Sequence, residues 1–311
     1  MAVLSEFVET FGQQLLREFG ERVHKVTVDA GFTCPNRDGS RGRGGCTFCN
    51  NKSFHPATAA RGIADQVREG MRCVRRRTRA RKVIAYFQTY TNTYAPLSRL
   101  SAAYEQALAV PGVVGLSVGT RPDCLSEAVV ALIASYRDRG LSVWVELGLQ
   151  SSFDETLARV NRGHGYGEYR EAIALLQRYR IPVCTHLIVG LPQEGRDHAL
   201  HTLARVLSLG VAGLKIHPLH VVRGSRLAHD FRAGRLVPLD LPTYVGIVAD
   251  LVERTPRHVA FHRLTGTAKA ALLLTPDWCI GKWRVLNAIT AELARRGTRQ
   301  GVFACEGVSS W

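Results

Sequence analysis

Three cysteines, Cys34, Cys46 and Cys49, stand in the stretch TCPNRDGSRGRGGCTFCNNKSF, residues 33–54. Their spacing, C-x11-C-x2-C, gathers soft sulfur ligands in a segment too rich in Gly and Asn to be a helix or a strand. A structural zinc ion needs a fourth ligand, which His55 could supply in a Cys3His set. Structural zinc usually holds together a piece too small to fold otherwise, whereas this loop leaves the first strand of a full-sized core. A four-iron cluster on three thiolates fits better, because one iron then stays open to an outside ligand, as on a catalytic zinc. Gly39, Gly42, Gly44 and Gly45 let the backbone wrap closely and present amides to sulfide. Phe48, between the last two thiols, could cover a flat heterocycle or simply pack. Cys73, Cys124, Cys184, Cys279 and Cys305 have no pair spacing and read as free thiols. Of these, Cys124 follows a strand directly and is the one placed to take part in chemistry.

The elements that must position this loop recur about every thirty residues. KVTVDA, KVIAYFQ, VVGLSVGT, SVWVELGLQ, VCTHLIVGLP and GLKIHPLH are β-rich runs. Between them lie helical patterns such as SEAVVALIASYRDRG and RDHALHTLARVLSLG, ending in the Gly that suits a C-cap. Strands alternating with helices run parallel, so the fold is α/β, and six units without a seventh predict a partial (β/α)6 TIM-like barrel rather than an open doubly wound sheet. Residues 1–240 form that core, with the cysteine loop at 30–54. Residues 241–311, with helical patterns around FHRLTG, form a C-terminal helical extension packed on it. Chemistry in such folds sits at the C-terminal edge of the strands. The loops there contribute TYTNTY, TRPDC, SSFDETLARVNRGHGYG and PQEG.

The chain has 311 residues, 46% of them hydrophobic, and no run approaching the roughly 20 apolar residues of a membrane span, so a cytoplasmic protein without a membrane partner is expected. Its 41 bases exceed its 26 acids by 15, which gives it a long-range attraction for polyanions. The bases concentrate between Arg68 and Lys82, where Arg75, Arg76 and Arg77 adjoin and Glu69 is the only acid. That run is either a phosphate-binding patch or a solvated helix end whose cations offset the helix dipole.

VDAGFTCPNRDGSRGRGGCTFCNN, YFQTYTNTYAP, VGTRPDCL, ELGLQS, NRGHGY, HLIVGLPQE, KIHPLH and RLTG together resemble the radical S-adenosylmethionine (radical SAM) proteins of the YhcC/YtqA-like group. These are relatives of the radical domain of the Elongator catalytic subunit. The match runs from about residue 20 to the end with its motifs in order, although the commonest radical SAM pattern begins C-x3-C. No acetyltransferase domain accompanies it, which removes acetyl transfer from the expected activities.

The resemblance implies that Cys34, Cys46 and Cys49 hold a [4Fe-4S] cluster and that S-adenosylmethionine chelates the fourth iron. An electron then breaks the sulfonium C–S bond to give a 5'-deoxyadenosyl radical. Gln88, Thr89 and Tyr90 stand where related enzymes carry a Gly-Gly-Glu turn against the methionine amine. Glu146 and Gln150 flank ELGLQ, and by resemblance Gln150 reaches the ribose; the plain alternative is a polar strand-end cap. Arg162 and His164 match a triplet of Elongator in which the guanidinium meets the methionine carboxylate. His186, Gly190, Leu191 and Pro192 belong to the segment along the adenine, where His186 could equally be a satisfied core residue. Arg121 and Arg263 lie in loops aimed at the cluster, without a partner evident in the sequence.

The function this implies is that of an enzyme acting on the 5-position side chain of the tRNA wobble uridine, in which carboxymethylaminomethyl is converted to aminomethyl or a similar change is made. A flavodoxin or ferredoxin would serve as electron donor. The alternatives are the same radical chemistry on a small molecule or a protein, and a non-catalytic basic RNA-binding protein with structural zinc.

Overall fold

In the computed structural model, which describes residues 2–50 and 59–304, seven parallel strands lie side by side in chain order. They are β1 (Val23–Val28), β2 (Lys82–Phe87), β3 (Val113–Thr120), β4 (Ser142–Gln150), β5 (Val183–Val189), β6 (Gly213–Pro218) and β8 (Ala260–Arg263). The short β7 (Val221–Val222) and β9 (Leu273–Thr275) pair antiparallel outside this sheet. Strictly sequential order marks barrel winding, since a doubly wound sheet reverses its strand order at a switch point. The helices α3 (Ile63–Thr78), α4 (Leu97–Leu108), α5 (Glu127–Asp138), α7 (Tyr166–Arg178), α8 (Arg196–Leu207) and α10 (Leu241–Arg254) carry the crossovers, and the short α1 (Leu4–Phe7) and α9 (Leu227–Arg232) lie before β1 and after β7. Local chemistry sets their ends: the Ser126 hydroxyl accepts from the Val129 amide at the start of α5, and Gly140 follows that helix with φ +83°.

The partial barrel stands, with one more strand than the six read from the sequence. The seventh is Ala260–Arg263, inside the segment assigned to a helical extension, and it pairs parallel with β6. Four residues are too few for a period-2 pattern to stand out between two amphipathic helices. Beyond it, α11 (Lys282–Arg296) packs on α10 through buried Val285, Leu286, Ile289 and Leu293.

The sheet curls until its ends meet. Lys25 of β1 reaches the His262 Nδ1 of β8 at 2.9 Å. The outer edge of β8 is covered by the N-terminal segment, where the Phe261 amide donates to the Glu9 carbonyl at 2.8 Å. Helix α2 (Phe11–Phe19) then closes the N-terminal end of the barrel. Its Phe11 and Leu15 pack inside with Val23, Ile84, Trp144 and Cys184, and Phe11 stacks on His262 at 3.8 Å between ring centres.

Helices and strands approach closely at defined points. A Cβ on Gly70, in the middle of α3, would lie 2.1 Å from Val26 Cγ1. Gly70→Ala is therefore expected to lower stability by about 1–3 kcal/mol despite the better helix propensity of alanine. Gly167→Ala, where nothing lies within 4 Å of the added carbon, should be neutral or gain up to about 1 kcal/mol. Denaturant unfolding of the two variants checks the pair.

Candidate functional site

A cleft of about 410 Å³ opens at the C-terminal ends of the strands, and Cys34, Cys46 and Cys49 all line it. The loop that carries them is held by the segment between α6 (Asp154–Arg159) and α7. Asn36 Nδ2 donates to the Asn161 carbonyl at 2.5 Å, Asn161 Nδ2 to the Gly45 carbonyl at 2.8 Å, and the Thr47 amide to the Val160 carbonyl at 2.9 Å. On its other side the Asn50 side chain donates to the Arg223 carbonyl at 2.6 Å. The thiols face guanidinium groups: Arg162 Nη1 lies 3.3 Å from Cys46 Sγ, and Arg37 Nη2 donates to the Cys49 carbonyl at 3.1 Å.

Of the other residues singled out in the sequence, Phe48, Gln88, Glu146, Gln150, Arg162 and His186 line the same cleft, while Thr89, His164 and Gly190 do not. Phe48 is partly buried against the cluster of Val160, Leu191 and Leu219. Gln150 ends β4 with φ +83°, a left-handed backbone that strains a side-chain-bearing residue and occurs here at the register shift between β4 and β5. Gly148, two residues before it, makes room for both side chains, because a Cβ there would stand 2.7 Å from Arg162 Nη2 and 2.8 Å from Gln150 Nε2 and displace them. Arg162 is turned toward Cys46 and the Gly148 carbonyl, at 2.5 Å, which leaves its Nε without a partner among the described residues. A two-pronged grip on a cofactor carboxylate is thus not laid out in this arrangement. His164 sits behind the cleft, and burial, then Arg162 and Arg121, pull its imidazole down to about 3, so it is neutral. Thr89 is buried, and Leu239 covers Gly190. Arg121 does have a partner, its Nε donating to Asp123 at 2.9 Å, and it also holds the Arg162 carbonyl at 2.8 Å. His55, the candidate fourth zinc ligand, lies outside the described residues, as does Cys305.

Below the thiols runs a polar layer that sequence reasoning did not assemble. Each strand of the sheet contributes to it: Lys25, Tyr86, Ser117, Glu146, His186, Lys215 and His262. The fully buried Glu146 carboxylate is its hub. It accepts from Lys25 Nζ, from Ser117 Oγ at 2.8 Å, from Lys215 Nζ at 2.9 Å and from His186 Nε2 at 2.6 Å. Burial alone would raise this carboxyl, but Lys215 and Lys25, then the His186 bond, outweigh it and hold it well below the usual range. Burial brings Lys215 down to about 8 even with Glu146 beside it. His186 falls to about 4 and His262 to about 3, in both cases chiefly by burial, so both rings are neutral. The available signal was the inward period of two that links Glu146 to Gly148 and Gln150, and Lys215 to His217, on their own strands.

Two other expectations are relocated. Cys124 lines a separate cavity of about 610 Å³ with Gly31, Arg99 and Ser126, and burial, then Asp123, pushes its thiol up to about 12. Arg75, Arg76 and Arg77 are exposed at the C-terminal end of α3, immediately before β2 begins. They therefore lie at the N-terminal edge of the sheet, a strand length of about 20 Å from the level of the thiols.

The donor set fits an iron-sulfur cluster better than one metal ion. Among the described residues, the only trio of metal-ligating atoms within 4.8 Å of one another is Glu146, Cys184 and His186, whose carboxylate the lysines already hold. A single zinc at about 2.3 Å from each sulfur would draw the loop thiols closer than that. Hydrogen bonds to sulfur, such as those Arg162 and Asn36 direct at Cys46, are what a thiolate-bound cluster requires around it.

The sequence profile described as the Radical SAM superfamily matches residues 36–206, and that of the Radical_SAM C-terminal domain matches residues 211–295. Protein YhcC of Escherichia coli K12 is 44% identical over 297 residues, which cover 95% of this chain and 95% of that protein. The tRNA uridine(34) acetyltransferase of Dehalococcoides mccartyi is 32% identical over 155 residues, 49% of this chain and 33% of its own length. Among solved structures, the archaeal Methanocaldococcus infernus Elp3 superposes with a TM-score of 0.68 at 18% identity, a likeness of fold that covers 89% of this chain and 64% of that one.

Glu146→Gln leaves Lys25 and Lys215 buried without a counter-charge, and is expected to cost about 3–5 kcal/mol of stability in denaturant unfolding. Glu105→Gln, which breaks the exposed pair with Arg139, should cost less than about 1 kcal/mol.

Proposed function

We infer the function from one premise: the chain belongs to the radical SAM superfamily. It is an enzyme, and the cofactors of that superfamily are a [4Fe-4S] cluster and S-adenosylmethionine. The observation that carries the site assignment is the convergence of Cys34, Cys46 and Cys49 on the strand-end cleft, and these are the residues that would hold the cluster. When bound, the pair supplies an electron to the sulfonium and, from it, a 5'-deoxyadenosyl radical able to take hydrogen from an unactivated carbon.

The chain's own residues bind, orient and exclude water. Arg162 and Arg37 offset negative charge at the thiols, and Asn36 with Asn161 fixes the loop that carries them. Phe48 and Gln150 bound the cleft where the nucleoside of S-adenosylmethionine is accommodated in this reading, Phe48 over the flat base and Gln150 toward the ribose. The saturated hydrogen bonding around Glu146 keeps the floor of the cleft rigid.

The substrate in this reading is tRNA, altered at the 5-position side chain of the wobble uridine, with a flavodoxin or ferredoxin as electron donor. Two observations support it: the partial similarity to a tRNA uridine(34) acetyltransferase and the net charge of +15. Because Arg75 to Arg77 stand a strand length from the thiols, they serve the tRNA body or its approach and not the nucleotide that enters the cleft.

Anaerobic reconstitution should give a brown protein with about four irons per chain. Cys34→Ala, Cys46→Ala or Cys49→Ala should abolish the colour, and Cys73→Ala should not. Stoichiometric zinc in a colourless protein refutes the assignment. With a reductant, the holoprotein should release 5'-deoxyadenosine from S-adenosylmethionine.

Nucleoside mass spectrometry of a deletion strain tests the substrate. A 5-substituted wobble uridine should accumulate unprocessed, and return to normal with the intact gene but not with Cys46→Ala. An unchanged profile in an organism that makes such nucleosides and has no second gene copy assigns the radical chemistry to another substrate. Binding to tRNA should fall steeply between about 50 and 200 mM salt, and reversing Arg75, Arg76 and Arg77 to Glu should flatten that dependence.

A further inference from the structure

Trp283 is the largest hydrophobic side chain left exposed among the described residues, with 71% of its surface in water. It stands in the first turn of α11 within the run Lys282-Trp283-Arg284, all exposed, and the exposed Ile280 comes just before it. The direction of α11 locates this turn. Arg296 at its far end pairs with Asp250 at 2.8 Å and Glu253 at 3.1 Å, near the end of α10. Trp278, ahead of α11, donates to the Leu239 carbonyl at 3.2 Å, just before α10 begins. The two helices therefore run parallel. Because α10 returns the chain from the strand ends to the start of β8, α11 begins at the C-terminal edge of the sheet, where the cleft opens.

Lys282 is accordingly close enough to the cleft-lining Arg263 for the two charges to act on each other: burial, then Arg263, lowers its ammonium. On the same side Arg223 is exposed in the turn after β7, where its carbonyl accepts from the Asn50 side chain at the end of the cysteine loop. Among the described residues Arg223, Arg263, Lys282 and Arg284 have no ion pair, and Asp277 is the exposed acid of the turn before them. Lys282 Nζ lies 5.4 Å from the centre of the Trp283 ring, so the indole offers an open face beside unneutralised cations.

We propose that Trp283 is a stacking platform for an unpaired nucleobase of the RNA substrate, with Lys282 and Arg284 holding the adjoining phosphates. The proposal rests on the reading of the chain as an enzyme of tRNA, and gives that reading a seat for a nucleotide outside the cleft. A base within a duplex has both faces covered by its neighbours, whereas a base next to one turned out of a loop has a free face for an indole. Stacking of this kind tolerates any base, since each has a π-face, and the cations supply attraction for the backbone. The basic run of α3 differs in kind, having charge without an aromatic side chain. A membrane surface would need a wider apolar face than Trp283 and Ile280 provide, and the other apolar residues of α11, Val285, Leu286, Ile289 and Leu293, are buried.

The test is binding of a short dye-labelled oligouridine to the holoprotein with S-adenosylmethionine, followed by fluorescence anisotropy across a salt series. Trp283→Ala should weaken binding about tenfold at every salt concentration and leave the salt slope unchanged, and Trp283→Tyr should recover most of the loss. Lys282→Gln with Arg284→Gln should instead flatten the slope, by about one unit for each phosphate contact removed. A blunt duplex RNA should bind without regard to Trp283, and 4-thiouridine in the single strand should cross-link to Trp283 in peptide mass spectrometry. Because Trp283 is exposed, Trp283→Ala should unfold at the denaturant concentration of the unsubstituted protein. Unchanged oligouridine affinity in Trp283→Ala, an equal loss for duplex RNA, or displacement of oligouridine by polyglutamate at equal charge overturns the proposal. Binding of phosphatidylglycerol vesicles through Trp283 in place of oligouridine does so too, and assigns the patch to a membrane.

The nucleosides of the deletion strain keep this proposal apart from the reading it rests on. If oligouridine binds through Trp283 while the wobble-uridine profile is unchanged, the platform stands and the tRNA reading fails. If the profile changes while Trp283→Ala binds RNA like the unsubstituted protein, the platform fails and the tRNA reading stands.

Discussion

The centre of this protein is a single ionised carboxylate enclosed by cations. Glu146 has no exposure to water, yet it accepts from two lysines, a serine and a histidine drawn from four other strands. A barrel that closes only part-way has no continuous ladder between its first and last strands, so something else must fix its curvature. Lys25 does this by joining Glu146 of β4 to His262 of β8. The curl in turn brings the strand ends, and the loops they carry, around one cleft. Apolar residues could fill the same volume with at least equal stability. What they could not supply is a rigid, directional floor beneath a reactive site.

The cysteine loop depends on a different kind of support. Its sequence has few apolar side chains to bury, so packing cannot define its path, and backbone and amide hydrogen bonds do so instead. Asn161 is central here. It adopts a left-handed conformation, φ +52°, which asparagine tolerates better than most residues, and so places Arg162 against Cys46 while its own amide reaches Gly45. The loop and the segment after α6 thus form one unit from residues more than a hundred positions apart.

What the sequence displayed was whatever is written locally. The thiol spacing, the alternation of strand and helix and the strand-end motifs located the cleft, and most of the residues named from those motifs line it. What it hid is whatever depends on distance along the chain. Lys25, Tyr86 and Lys215 come from three different strands, and no local pattern in any of them tells which distant carboxylate the side chain meets. Strand β8 was hidden by brevity. His164 was hidden by its surroundings, since adjacency to Arg162 in NRGH did not reveal that it is buried and does not line the cleft. The charge excess was visible as a number, but only topology placed Arg75 to Arg77 at the far edge of the sheet.

Helix α2 closes the N-terminal end of the barrel with Phe11 and Leu15 against Trp144. Among the described residues the interior is consequently stopped at that end, and the cleft opens at the other, where the strands finish. A ligand that is to lie against the Glu146 layer must then pass the level of the thiols to reach it. Depth in the barrel thus becomes an order of seating, with whatever rests on the polar layer lying beneath whatever rests on the thiols.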